Sequence, residues 1–304
     1  MRGLIAILCT LAVTLSGADT KDSHSKLTEQ IRAAQAAHQR GDMRGAIETA
    51  SGILKENPNS IPAYVFRSRL YTAYRQYAKA VADLSSAVKL QPGSPDLLQM
   101  RGEAHFRNVD MKAAIKDWDE VIRLRPAQEP YHWQRGIAYY YAGQFEKGRR
   151  QFEIHQTVNK ADVENAVFHF ICNARAKNLK TAQKEFINIA GDKRIPMFEI
   201  HRLFAGNMTV KQVLQAADRP SEHDILNRVP LSDEARIRQE FYANYYIGLY
   251  HESHGTPDKA RPFIMKAAQT ANQNGYMGDC ARIHAELIKR SEKSGKKKPS
   301  PTGK

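Results

Sequence analysis

Cysteine is scarce in this 304-residue chain: three are present, Cys9, Cys172 and Cys280, with no CxxC pair among them. That spacing excludes a cysteine-rich zinc site and a dithiol redox motif. No glycine-rich phosphate loop and no nucleophile elbow occurs, so the usual signatures of nucleotide and hydrolase chemistry are missing. The stretch HESHG (251–255) lacks the HExxH spacing that puts two histidines one helical turn apart on zinc. Its histidines, His251 and His254, are three apart, and His251 reads as a packing position. Long apolar runs are scarce too: Leu4 to Leu15 is twelve residues, short of the roughly 20 that span a bilayer.

That one apolar run has a different use. It follows Arg2 and precedes the small residues SGA, which reads as a secretory signal peptide over 1–18 with cleavage after Ala18. Cys9 leaves with the signal, and the residues before it lack the small side chain of a lipoprotein cysteine. The mature chain is therefore expected in the periplasm or envelope-associated, and soluble. Cys172 and Cys280 both fall in helical patterns and read as buried small hydrophobes, with a disulfide as the alternative.

Charge is unevenly spread. The formal net charge is +14, yet the last sixteen residues, KRSEKSGKKKPSPTGK, hold seven basic side chains and one acid. A tail of this composition (291–304) is expected to be disordered. It can touch acidic envelope surfaces electrostatically. An exported chain meets no nucleic acid, so none is expected as a partner.

Against these absences stands a regular spacing. Pro58, Pro92 and Pro126 recur every 34 residues, as do Ala46, Ala80 and Ala114, and Gly102 and Gly136. A 34-residue step is the mark of a repeated helix–turn–helix unit. Units start near Leu27, Ile61, Pro95 and Glu129. A small residue stands at the eighth place (Ala34, Ser68, Gly102, Gly136) and another at the twentieth (Ala46, Ala80, Ala114, Gly148), where two helices cross most closely. Tyr71, Tyr77, Leu84, Trp118, Tyr139, Phe145 and Phe152 fill the spaces between. The proline ends each second helix, since it restrains the residue before it and donates no hydrogen bond.

This pattern is identified as that of the tetratricopeptide repeat. The resemblance implies an all-α solenoid: four tandem units over 27–160 and a degenerate fifth over 161–193, where Phe170 replaces the small residue. A short-helix insert over 194–231 breaks the register. A C-terminal unit with a closing helix covers 232–290, with Ser232 as an N-cap and Gly248 and Ala260 at the small places. The order of parts, with the stretches YHWQRGIAYYYAGQFEKGRRQFE and FAGNMTVKQVLQ, also resembles the NlpI-type envelope lipoproteins, without their lipid-anchor motif. That resemblance implies a scaffold that gathers cell-wall hydrolases or proteases, often as a homodimer.

The tetratricopeptide pattern further implies that the first helix of each unit lines a concave groove. On this chain the groove residues become Arg69, Gln99, Glu103, Arg107, Trp133, Tyr140 and Tyr141, with Trp133 and Tyr141 as an aromatic strip and Gln99 on an open face. Aromatics and arginine are the side chains that anchor interfaces. The asparagines that clamp a terminal carboxylate are missing, so an internal peptide segment or a folded partner is expected. No enzyme activity, metal or cofactor is expected: Asp117, Asp119 and Glu120 share one helix and read as its charged outer face. Two other readings stay open. One is an assembly factor for a secretion or pilus machine. The other is an enzyme with a site in 194–240, around His201, Glu222, His223 and Asp224.

Overall fold

The structure, a computed structural model, describes residues 19–220 and 225–295. The expected signal peptide, Glu222, His223, Asp224 and the last residues of the tail, 296–304, lie outside the described residues. Everything described is helix, turn or loop, and no strand occurs among the described residues. Helix pairs follow one another: α1 (Asp19–Gln39) and α2 (Met43–Glu56), α3 (Ile61–Ala73) and α4 (Tyr77–Leu90), α5 (Pro95–Arg107) and α6 (Met111–Leu124), α7 (Trp133–Tyr141) and α8 (Phe145–Gln156). Then come α9 (Val163–Ala176) and the short α10 (Leu179–Lys184), α11 (Met197–Phe204) and α12 (Val210–Ala216) of the insert, and α13 (Asp233–Ser253), α14 (Pro257–Gln269) and α15 (Gly275–Gly295). The fold is an all-α solenoid of tandem helix–turn–helix repeats.

Local chemistry explains the boundaries. Ser60 and Ser94 cap α3 and α5 by accepting from the amides of Ala63 and Leu97, and Ser232 caps α13 by accepting from Ala235. Asn57, Gln91 and Arg125, each followed by a proline, sit at φ −130°, −140° and −135°, the extended backbone that a following proline imposes. Between the helices of a pair, one residue turns left-handed: Gly41, Arg75, Val109, Gly143 and Gly255 have φ of 81°, 59°, 62°, 72° and 71°. The next amide then bonds back to a carbonyl five residues earlier, as Asp110 does to His105 at 2.9 Å and Gln144 to Tyr139 at 2.8 Å, which closes the helix end.

The small residues do what their spacing predicts. A Cβ added to Gly102 would stand 2.5 Å from Nε1 of Trp118, and one added to Gly136 would stand 2.7 Å from the Phe152 ring. Ala46, Ala80, Ala114 and Ala182 are fully buried. A second period escaped the sequence reading. Arg67 bonds bidentately to Asp83 at 2.8 and 2.7 Å, and Arg101 to Asp117 at 2.8 and 2.6 Å. Arg135 repeats the bond to Gln151 at 2.9 Å. Each pair ties the two helices of one repeat. Asp117 is therefore buried and paired, not part of a charged outer face; Asp119, which accepts from Arg135 and Tyr139, and Glu120, which pairs with Arg123, remain at the surface.

Three boundaries differ from expectation. The fourth unit's first helix begins at Trp133 rather than near Glu129, because Pro126 and Pro130 hold 126–131 in a 3₁₀ turn; a proline inside a helix removes its amide bond. The last helix runs on to Gly295, past the expected end at 290. Finally, the chain divides into two compact units between Pro92 and Gly93. The first holds small clusters of Ala37, Ala46, Ala50 and Leu70, and of Ile53, Leu54 and Ala63. The second holds one cluster running from Phe106 to Ala285.

Candidate functional site

The expected groove residues fall in both units. In the first, Arg69 projects from α3 and is exposed, with Val65 and Thr72 half-buried on the same helix. In the second, Gln99, Glu103, Arg107, Trp133, Tyr140 and Tyr141 are brought together on the inner faces of α5 and α7, but that face is not open. The chain's own α13 and α15 cover it.

The cover is polar and aromatic at once. Starting from α5, a chain of hydrogen bonds crosses the inner face. His132 Nε2 meets Gln99 Oε1 at 2.8 Å, Gln99 donates to Glu103 at 3.1 Å, and Arg107 donates to Glu103 at 3.2 Å and to Asp279 of α15 at 2.9 Å. Arg282 of α15 donates to the Arg107 carbonyl at 2.7 Å. Gln99 offers its oxygen, so His132 Nε2 must carry the proton. Burial, and then the Arg135 charge, push the His132 pKa down to about 4, so the ring stays neutral. Burial works against the Arg107 cation, but Asp279 and Glu103 outweigh it and hold its pKa above the usual arginine value.

Aromatic contacts run alongside. Tyr276 of α15 stacks on Phe106 at 5.2 Å and meets Trp133 edge-on at 4.8 Å. Tyr141 shares a 2.7 Å hydrogen bond with Tyr245 of α13 and donates to the Cys280 carbonyl at 3.1 Å. Tyr140 donates to Glu252 of α13 at 2.8 Å. Burial raises the hydroxyls of Tyr140 and Tyr141 well above the ordinary value, so both remain protonated donors. The expected aromatic strip exists, but it is the seat of α15. The physical reason is that an amphipathic ring which finds an apolar wall and a hydrogen-bond partner inside its own chain gains nothing by staying open.

At the end of this face, α7, α8, α9, α13 and α15 line an open pocket of about 340 Å³. Tyr140, Tyr141, Phe145, Leu287 and Ile288 form its walls, and Arg175, Glu252 and His284 supply its charge and polarity. No residue of this cluster except Tyr140 and Tyr141 was expected from the sequence. The residues come from five helices, and no local motif joins them.

The remaining candidates are structural. His201 is buried, stacks on Phe186 at 4.6 Å and bonds to the Ile187 carbonyl at 2.9 Å. His251 stacks on Phe263 at 5.8 Å. Cys172 and Cys280 are both free and buried. Among the described residues no group of acidic, histidine or cysteine side chains is placed to hold a metal ion, and no helix is long and apolar enough to cross a membrane.

Residues 68–129 match the family model of the tetratricopeptide repeat. A tetratricopeptide repeat protein from Parabacteroides merdae aligns over 85% of this chain and 98% of its own, with 12% identity and a TM-score of 0.54. MamA from Desulfovibrio magneticus RS-1 aligns over 53% of this chain and 91% of its own, with 19% identity and a TM-score of 0.48. At such identities the likeness is one of fold. With the 34-residue step and the paired helices in place, the match makes 68–129 a tetratricopeptide-repeat segment, and the fold of the chain is a solenoid of that kind.

Proposed function

We propose that this chain is a non-enzymatic scaffold of the bacterial cell envelope, which holds protein or peptide partners on the inner face of its repeats. The observation that carries the reading is the contrast at one repeat position. Arg69 of α3 is exposed, whereas Glu103, its equivalent one repeat later, lies under α15. Stacked helix pairs generate extended concave binding surfaces, and arginine is among the residues that dominate such interfaces. The signal-like sequence over 1–18 supports export, and the basic tail supports contact with acidic envelope surfaces.

The test is capture of partners from an envelope extract by the purified mature chain, identified by mass spectrometry. Cell-wall hydrolases or proteases in the eluate support the scaffold reading. Secretin or pilus components support the assembly-factor alternative. Arg69→Glu, which reverses an exposed charge, is expected to weaken capture by at least about tenfold. Unchanged capture by that variant moves the site away from α3. Homodimer formation, the other implied partnership, is checked by light scattering on the same preparation.

A further inference from the structure

The cavity at the end of α7 has a chemistry that the scaffold reading does not use. Its walls are part apolar and part polar, and Glu252 and Arg175 converge on it with unspent hydrogen-bonding capacity. Both hydrogen bonds at Glu252 fall on the same carboxylate oxygen: Tyr140 donates to Oε2 at 2.8 Å, and His284 Nε2 lies 3.1 Å from it. Among the described residues the other oxygen, Oε1, has the Arg175 guanidinium at 4.0 Å, beyond hydrogen-bond distance. Arg175 itself lies over the Phe145 ring at 4.6 Å and makes no hydrogen bond described in the structure. An acceptor and a forked donor therefore line one pocket side by side, a loose ion pair at 4.0 Å.

Two opposite charges a few ångströms apart are the complement of a zwitterion. An α-amino acid carries its ammonium and carboxylate on a single carbon, so the two ends reach neighbouring partners at once. We propose that this cavity binds a free apolar α-amino acid, its ammonium on Glu252, its carboxylate on Arg175 and its side chain against Tyr140, Phe145, Leu287 and Ile288. A volume of about 340 Å³ lies at the small end of the roughly 300–1,000 Å³ of ligand pockets, which suits a ligand of that size. Burial raises the Glu252 pKa, but His284 and Tyr140 bond to the carboxylate and bring it below the usual range. The group is thus an anion when the ligand arrives. A simple amine satisfies only Glu252, and a simple carboxylate only Arg175 while it faces Glu252. Neither uses both partners.

The experiment is calorimetric titration of the full chain with L-leucine, L-valine and L-phenylalanine, followed by L-leucine methyl ester and N-acetyl-L-leucine. At least one free amino acid is expected to bind saturably and raise the melting temperature. Either blocked form is expected to bind roughly tenfold to a hundredfold more weakly, the loss of one charge-assisted contact. Arg175→Gln removes no described hydrogen bond, only the contact over the Phe145 ring and the loose pairing with Glu252, and is expected to lower the melt slightly while weakening leucine by a similar factor. Glu252→Gln is the second variant, read only if its circular dichroism is native. No saturable binding by any of the three amino acids at millimolar concentration overturns the proposal. So does equal affinity for the blocked forms, or wild-type affinity in Arg175→Gln. None of these results bears on partner capture at Arg69.

Discussion

Residues 19–92 and residues 93–295 are built from the same repeat, yet they bury different things. Of the largest fully buried side chains, only Ile53 and Leu70 precede residue 93; Trp118, Phe106, Phe152, Phe168, Phe170, Phe204, Phe241, Tyr245 and Tyr246 all follow it. The first unit is an alanine-lined pair of hairpins with an exposed arginine on its inner helix. In the second, α13 and α15 fold over the inner face and turn a surface into core. The lesson is that a repeat register fixes which residues point inward, but not whether inward means a groove or an interior.

The strongest way to break this comparison is to substitute the same repeat place on both sides. Gly136→Leu drives a side chain into the Phe152 ring, an overpacking cost of about 1–3 kcal/mol. Its melt should fall by several degrees. Ser68→Leu, at the same place in the first unit, starts from a larger side chain, so it adds less volume and should cost less. Equal losses would mean that both units are packed alike.

Next in size is Tyr140→Phe. It removes the hydroxyl that Glu252 accepts, a bond to a charged group worth about 1.5–3 kcal/mol. Arg69→Ala on the exposed face should stay within about 0.5 kcal/mol. For the same reason, Trp133→Ala with Tyr141→Ala should destabilise the fold itself. Urea unfolding of the four proteins decides whether the inner face of 93–295 is core.

Val109→Gly should act in the opposite direction. A β-branched residue at φ 62° carries left-handed strain of about 1–2 kcal/mol, and glycine relieves it at some entropic cost in the unfolded chain. A net gain of up to about 1 kcal/mol is expected, visible as a higher melting temperature. Gly143, at the same place one repeat later, already has the relaxed residue, so Gly143→Val should lower the melt.

A last test is one of pH. Burial pushes the Glu164 carboxyl up to about 7, against the pull of Arg194. The folded chain therefore binds this proton more tightly than the unfolded chain, whose carboxyl titrates near the ordinary value. Between the ordinary value and about 7 the native state holds the extra proton, so this group's contribution to stability falls as pH rises through that window. In Glu164→Gln that decline should vanish. The check is the difference between wild-type and variant melting temperatures across pH; a flat difference would mean that Glu164 ionises normally.

Much of this molecule was legible from the spacing of a few residue types. Pro58, Pro92 and Pro126 ended helices where expected, and Gly102, Gly136 and Gly248 marked the close crossings, because each effect depends on one side chain and its immediate neighbours. The arginine–aspartate pairs were also present as a 34-residue step, through Arg67, Arg101 and Arg135, but a polar period inside a helix reads as surface until its partner sixteen residues on is seen. The left-handed turns at Arg75 and Val109 were hidden because neither is glycine.

The sequence alone determined the repeat, its period and the inward set of side chains, since helix propensity, capping and close packing are local. Only the tertiary structure decided that Trp133, Tyr140 and Tyr141 are covered. Tyr141 meets Tyr245 across 104 residues, Tyr140 meets Glu252 across 112, and Arg107 meets Asp279 across 172. Contacts at such separations leave no periodic trace. They form because buried hydroxyls and charges must find partners, and the partners were carried back by a C-terminal helix pair whose own sequence shows only that it is helical.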